Sequence, residues 1–284
     1  MQEQFVQVSL SIRVFPNTRT DKELTSWLVK EKKTSLKAGR WVRHKLNPER
    51  MEPVTKVAGE IRRRFDETTL WWARGLRLVP VAVLEGFRKE FEQRQADFRR
   101  AVNDFVAAYP DAVAEAKKMH NGTFVPEDYP APDEIAGCFG MRVEYFPMPA
   151  PEHFPPQWSN RLGGILEMTI KSRLAAAERD FWERMEAPLR HMAETLSTPG
   201  KKFWDSLVDN VREVALVAAS TARHLNPEFK ARADELLKML QGVTPDALRE
   251  NPNLRKEIAV SAAKAAEKIA GIARRIVVEK DVTD

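Results

Sequence analysis

The sequence predicts a mainly α protein with a small antiparallel sheet, two-stranded or slightly larger. Three observations predict it. A 3-4 apolar repeat follows Pro80, a second runs from Leu162 to Met192, and residues 5–15 and 138–147 alternate with period two. Apolar residues three and four apart line one face of a helix, and alternate residues line one face of a strand.

The first strand sets Val6, Val8, Leu10, Ile12 and Val14 against Gln7, Ser9, Ser11 and Arg13, and Pro16-Asn17 ends it. Asp21 is placed to cap a helix over 22–36, with Leu24, Trp27 and Leu28 on its inner face. Asn47-Pro48 opens the next helix, whose apolar positions are Met51, Val54, Val57, Ile61 and Phe65. The central helix carries Leu84, Phe87, Phe91, Phe98, Val102 and Phe105 and is expected to break at Tyr109-Pro110, before a short helix over 111–119. Prolines between 126 and 156 exclude a long helix there, and within them Phe139, Met141, Val143 and Tyr145 form the second strand. Pairing it with the first satisfies both backbones.

Helices are expected over 159–197, 201–222, 226–241 and 252–277, the first kinked at Pro188. The chain therefore divides into an α+β block, 1–155, with strands 5–15 and 138–147 bracketing helices, and a helical block, 156–284. The helices over 80–109 and 159–197 are expected to form an antiparallel, coiled-coil-like spine.

Composition excludes several classes. No run of about 18 apolar residues spans a membrane, and the N-terminus lacks the basic and apolar regions of a signal peptide. One cysteine, Cys138, excludes an intramolecular disulfide and a multi-cysteine metal site, so a cytoplasmic home is expected. The net charge of +5 is uneven: residues 1–50 carry +6, while residues 101–200 carry −6. A basic first third points to a polyanion partner or to self-association of unlike surfaces.

Catalytic signatures are missing. No two of the five histidines stand at helical metal spacing, and no phosphate loop, dinucleotide loop or nucleophile elbow occurs. No cofactor is expected. Asp111, Glu127, Asp128, Asp133 and Glu134 are the one set that would suit a divalent cation and a nuclease, but capping and solubility explain carboxylates in a proline-rich loop better.

The stronger pattern is basic and aromatic. Trp41 lies among Arg40, Arg43 and Lys45, and Trp71-Trp72 lies between Arg62-Arg63-Arg64 and Arg74/Arg77. Cations along a phosphate track, with aromatics on which bases stack, bind single-stranded nucleic acid. The competing reading is structural: tryptophans in the core with arginine stems packed over them.

The segments TTLWWARGLRLVP, FVAAYPDAV, NGTFVPEDYP and VEYFPMPAPEHF together resemble an uncharacterised family of phage and prophage proteins. The carrying positions are Thr69, Leu70, Trp72, Gly75, Arg77, Leu78 and Pro80; Tyr109-Pro110; Gly122, Phe124, Asp128, Tyr129 and Pro130; and Pro147 and Pro149. Trp71 stands where the family pattern has proline. The resemblance covers roughly residues 5–155. It implies a phage protein of the host cytoplasm that serves replication, recombination or host takeover, and it brings no activity with it.

The expectation is thus a non-enzymatic, oligomeric phage protein that binds single-stranded DNA through Arg40, Trp41, Arg43, Lys45, Arg62, Arg63, Arg64, Trp71, Arg74 and Arg77. The alternative is a protein-interaction or self-assembling (ring or filament) protein that engages a host or phage factor.

Overall fold

The computed structural model describes residues 4–276, with eight α-helices and six strands among them. In chain order these are β1 (Phe5–Arg13), β2 (Thr18–Thr20), α1 (Lys22–Glu31), β3 (Val42–His44), α2 (Pro48–Thr68), β4 (Leu70–Ala73), β5 (Leu76–Pro80), α3 (Val81–His120), β6 (Gly140–Phe146), α4 (Pro156–Ser197), α5 (Ser206–Ser220), α6 (Glu228–Met239), α7 (Pro245–Glu250) and α8 (Pro252–Arg275). The expected last helix ends at Arg275; position 277 lies outside the described residues.

The main sheet has the order β4-β5-β1-β6, so β1 does pair with β6 as expected. It is also larger than two strands, because the hairpin β4–β5 adds to the other edge of β1. Leu70 pairs with Leu78 and Ala73 with Leu76, leaving Arg74-Gly75 as the turn, with Gly75 at a φ of 78° that favours glycine. Phe5 and Val8 of β1 stand opposite Pro80 and Arg77 of β5. The alternation expected for β1 fails at its start, where Phe5, Gln7 and Val8 are all buried. Buried Gln7 directs its amide at the Met148 sulfur, 3.8 Å away. A second, two-stranded sheet pairs β2 with β3.

The chain forms two compact units that interleave along the sequence rather than following one another. The first comprises residues up to Ser9, Arg64–Arg88 and everything from Glu144. Its core is built by α4 to α8 and the hairpin. Trp182 of α4 stacks on Phe229 of α6 at 3.9 Å between ring centroids, and Phe181 meets the same ring edge-on. The buried face of α8 alternates Ile258, Ile269 and Ile272 with Ala259, Ala262, Ala266 and Ala273, and small residues let α8 lie close along α4. At the start of α8, Arg255 donates to the carbonyls of Thr195, Leu196, Thr198 and Lys201 at the end of α4. The two helices are therefore antiparallel, and the Thr195 and Leu196 carbonyls in the last turn of α4 are satisfied. The long antiparallel pair is α4 with α8; the sequence had pointed to the central helix as the partner of α4.

The second unit comprises Leu10–Arg63 and Lys89–Val143. Here α2 buries Met51, Val54, Ala58 and Ile61, and α3 buries Phe91, Phe98, Val102, Phe105 and Tyr109. Asn47 and Arg50, at the start of α2, both bond Glu115 near the end of α3, so these helices too run antiparallel. The expected break at Pro110 does not occur. Pro110 is exposed, and the stripe continues beyond it with buried Ala112 and Ala116. The Tyr109 hydroxyl donates to the Pro130 carbonyl at 3.0 Å, and burial pushes its pKa up to about 12. An interior proline costs about 3 kcal/mol or more, and the continuing buried face offsets that cost.

Candidate nucleic-acid interface

The surface that matters is built by β2, α1 and β3 of the second unit. Asp21 caps α1 as its sequence position demands, its carboxylate accepting from the Leu24 N–H at 2.9 Å. The Asp21 N–H donates to the Trp41 carbonyl at 3.0 Å, and the Trp41 N–H donates to the Thr25 hydroxyl at 3.0 Å. Thr25 is the one buried residue of α1. The Trp41 backbone is thus pinned on both sides to the first turn of α1. Its indole nevertheless stays 49% exposed, and that of Trp27, two residues after Thr25, stays 59% exposed. The expectation that Leu24 and Trp27 face a core is corrected: both are surface residues.

The segment that carries these rings is rich in cations. Residues 22–45 hold eight Lys/Arg against two Glu, a net +6. Lys22, Lys30, Lys32, Lys33, Lys37 and Arg40 are exposed and have no ion-pair partner among the described residues. In the sequence, KEKK and the net charge signal the lysines, whereas Trp27, at helical spacing from Leu24, has the pattern of a core residue.

The ten expected contacts do not form one set. Arg40, Trp41, Arg43, Lys45, Arg62 and Arg63 belong to the second unit, and Arg64, Trp71, Arg74 and Arg77 to the first. Within the second unit, Arg40 and Trp41 are exposed as expected, but Arg43 is used internally. Its guanidinium donates to the Thr123 carbonyl at 2.6 Å and lies 3.7 and 3.6 Å from Asp21 and Asp128. Lys45 sits over the Phe15 ring at 5.0 Å, and Arg62 donates to the Ile12 carbonyl. Arg63 is exposed on α2.

In the first unit, Arg64 and Trp71 are half-buried and Arg74 is exposed in the hairpin turn. Arg77 caps the end of α2. It donates to the Thr69 hydroxyl at 3.0 Å, the Asp66 carbonyl at 2.9 Å and the Thr69 carbonyl at 3.3 Å. Arg184 of α4 joins it, donating to the carbonyls of Thr69 and Glu67. Cations belong at a helix C-terminus, where the last carbonyls concentrate negative charge. Burial lowers the pKa of both arginines and raises that of nearby Asp180.

The acidic loop is also structural at its centre. Asp128 accepts from Arg19 at 2.6 Å and faces Arg43. Among the described residues no group of three His, Cys, Asp or Glu side chains is placed to hold a metal ion, and no helix is long and apolar enough to cross a membrane.

The positions that carry the phage-family resemblance fall on these pins. Thr69, Leu70, Trp72 and Leu78 are buried, Gly75 makes the hairpin turn and Arg77 caps α2. Tyr109 holds Pro130, and Tyr129 donates to the Lys45 carbonyl at 2.7 Å while stacking on Phe124. Most of them hold the two units together internally. No protein-family model, curated protein or solved structure matches the chain.

Proposed function

We propose that the protein binds single-stranded DNA, without chemistry of its own, through the α1–β3 surface. One observation carries this reading: two half-exposed tryptophans, Trp27 on α1 and Trp41, whose backbone bonds Thr25 and Asp21 at the start of that helix, stand in a segment of net charge +6. Exposed indoles offer stacking faces to unpaired bases, which a duplex keeps stacked inside. Six exposed cations provide the phosphate track. Such a protein suits genome replication or recombination of a phage, in keeping with the resemblance of residues 5–155.

The test is the salt dependence of binding. Each phosphate neutralised on a single strand contributes about −0.7 to the slope of log K against log salt. A Lys30→Ala/Lys32→Ala/Lys33→Ala variant should therefore lose about 2 from that slope. A slope equal to wild type would remove this surface from the binding reaction.

A second reading, self-assembly, is favoured by one observation in the first unit. Trp158, Ile165 and Met168 of α4 are 46%, 63% and 62% exposed, on the helix face opposite its core residues Ile170 and Leu174. A helix apolar on both faces is normally covered on both.

A further inference from the structure

At exposed Trp27, the second unit contains a cavity of about 620 Å³ between the start of α1 and the turn at residues 121–125. Leu24 and Trp27 line it from the helix, and Phe124 and Val125 line it from the turn. Phe124 is held in place: its ring stacks on Tyr129 with centroids 4.7 Å apart and planes 16° from parallel. Asp21 and Arg43 are its half-buried polar members, each with a side chain 13% exposed, and Arg43 also holds the Thr123 carbonyl at 2.6 Å.

We infer that this cavity receives one nucleobase of a nucleotide, with Trp27 as its stacking face and Asp21 and Arg43 reading its edge. The inference rests on the single-strand reading above and names the unit of the strand that is recognised. Three features select this ligand class. The volume falls in the range of small-molecule sites, about 300–1,000 Å³. The cations Arg19, Lys22 and Arg43 nearly balance the carboxylates Asp21 and Glu23, so the cavity has little net field for a bare inorganic anion. An apolar ligand would strip water from Asp21 and Arg43 without replacing its hydrogen bonds. A nucleobase answers both sides, because it has a π face and an edge that alternates donors with acceptors. Exposed Lys22 at the rim then meets the attached phosphate.

Isothermal titration of the full chain with dAMP, dCMP, dGMP and dTMP tests this, beside anisotropy with a labelled single strand at low salt. At least one mononucleotide should bind at millimolar concentration, and Trp27→Ala should weaken it about tenfold, the usual scale of one base–aromatic stack. Trp204→Ala, which removes an 85% exposed indole of the first unit, should leave that affinity unchanged. Trp27→Leu keeps the apolar contact without the indole face, and replaces the alanine variant if that one fails to fold. Strand binding with no mononucleotide binding, or with mononucleotide binding indifferent to Trp27, overturns the cavity assignment and leaves the strand reading standing. Mononucleotide binding that depends on Trp27 without strand binding upholds the cavity and ends the strand reading. Binding of neither ends both.

Discussion

A Trp27→Ala/Trp41→Ala double variant loses at least about 30-fold in affinity for single-stranded DNA while melting at nearly the wild-type temperature. Stacking of a base on an aromatic side chain is worth about 1–3 kcal/mol, so two stacks contribute about 2 kcal/mol or more. Both indoles are half in solvent, so their removal opens no core cavity. What holds this surface together is backbone, through the bonds of Trp41 to Asp21 and Thr25, and these survive truncation of the ring. Equilibrium titration of a labelled strand, with a thermal melt of the same preparation, separates the two quantities. A variant that binds like wild type would mean that the indoles are bystanders and that charge alone carries binding.

Replacing Arg77 has the opposite profile. Arg77→Ala should cost roughly 3 kcal/mol of stability, because it strips three hydrogen bonds and an ion pair with Asp66 from the end of α2. Arg184 still holds the Thr69 and Glu67 carbonyls, which keeps the loss below collapse of the hairpin. Arg77→Lys retains charge but not the planar fork, so its loss should be intermediate. Urea unfolding measures both. A loss under about 1 kcal/mol for Arg77→Ala would show that the cap is dispensable, against the usual worth of hydrogen bonds made by a charged donor.

These two arginine-and-tryptophan clusters looked alike in the sequence, and their divergence shows where sequence reading stops. Trp71-Trp72 and Arg77 lie in LWWARGLRLVP, whose alternation of Leu70 with Trp72 and Leu76 with Leu78 around Arg74-Gly75 is a hairpin pattern. It was masked by the long helical repeats on either side. Once the hairpin closes, Arg77 falls back onto Thr69, eight residues earlier, and stops being available to a ligand. Arg43 gives one of its five N–H donors to Thr123, eighty residues later, a match that no local window contains.

The regular elements were more legible, since periodicity is a property of neighbours. The β1–β6 pairing and most helices follow directly from it. Pro110 misled because a local rule, the missing N–H, competes with a tertiary one: the stripe through Ala112 and Ala116 still has a core to bury against. Trp27 misled for the reverse reason. An apolar residue at helical spacing is normally core, and only the folded chain shows that α1 leaves Trp27 59% exposed.

The most direct test of the central claim is anisotropy of one labelled sequence, as single strand and as duplex, titrated from 50 to 200 mM salt with light scattering on the same samples. Six exposed cations predict a slope near −4 for the single strand, a loss of roughly 300-fold across that range, and tighter binding of the single strand than of the duplex. Equal affinity for the two forms, or no binding even at the lowest salt, would contradict it. A scattering mass of a dimer or larger in that case would give the protein to the assembly reading and to the exposed face of α4.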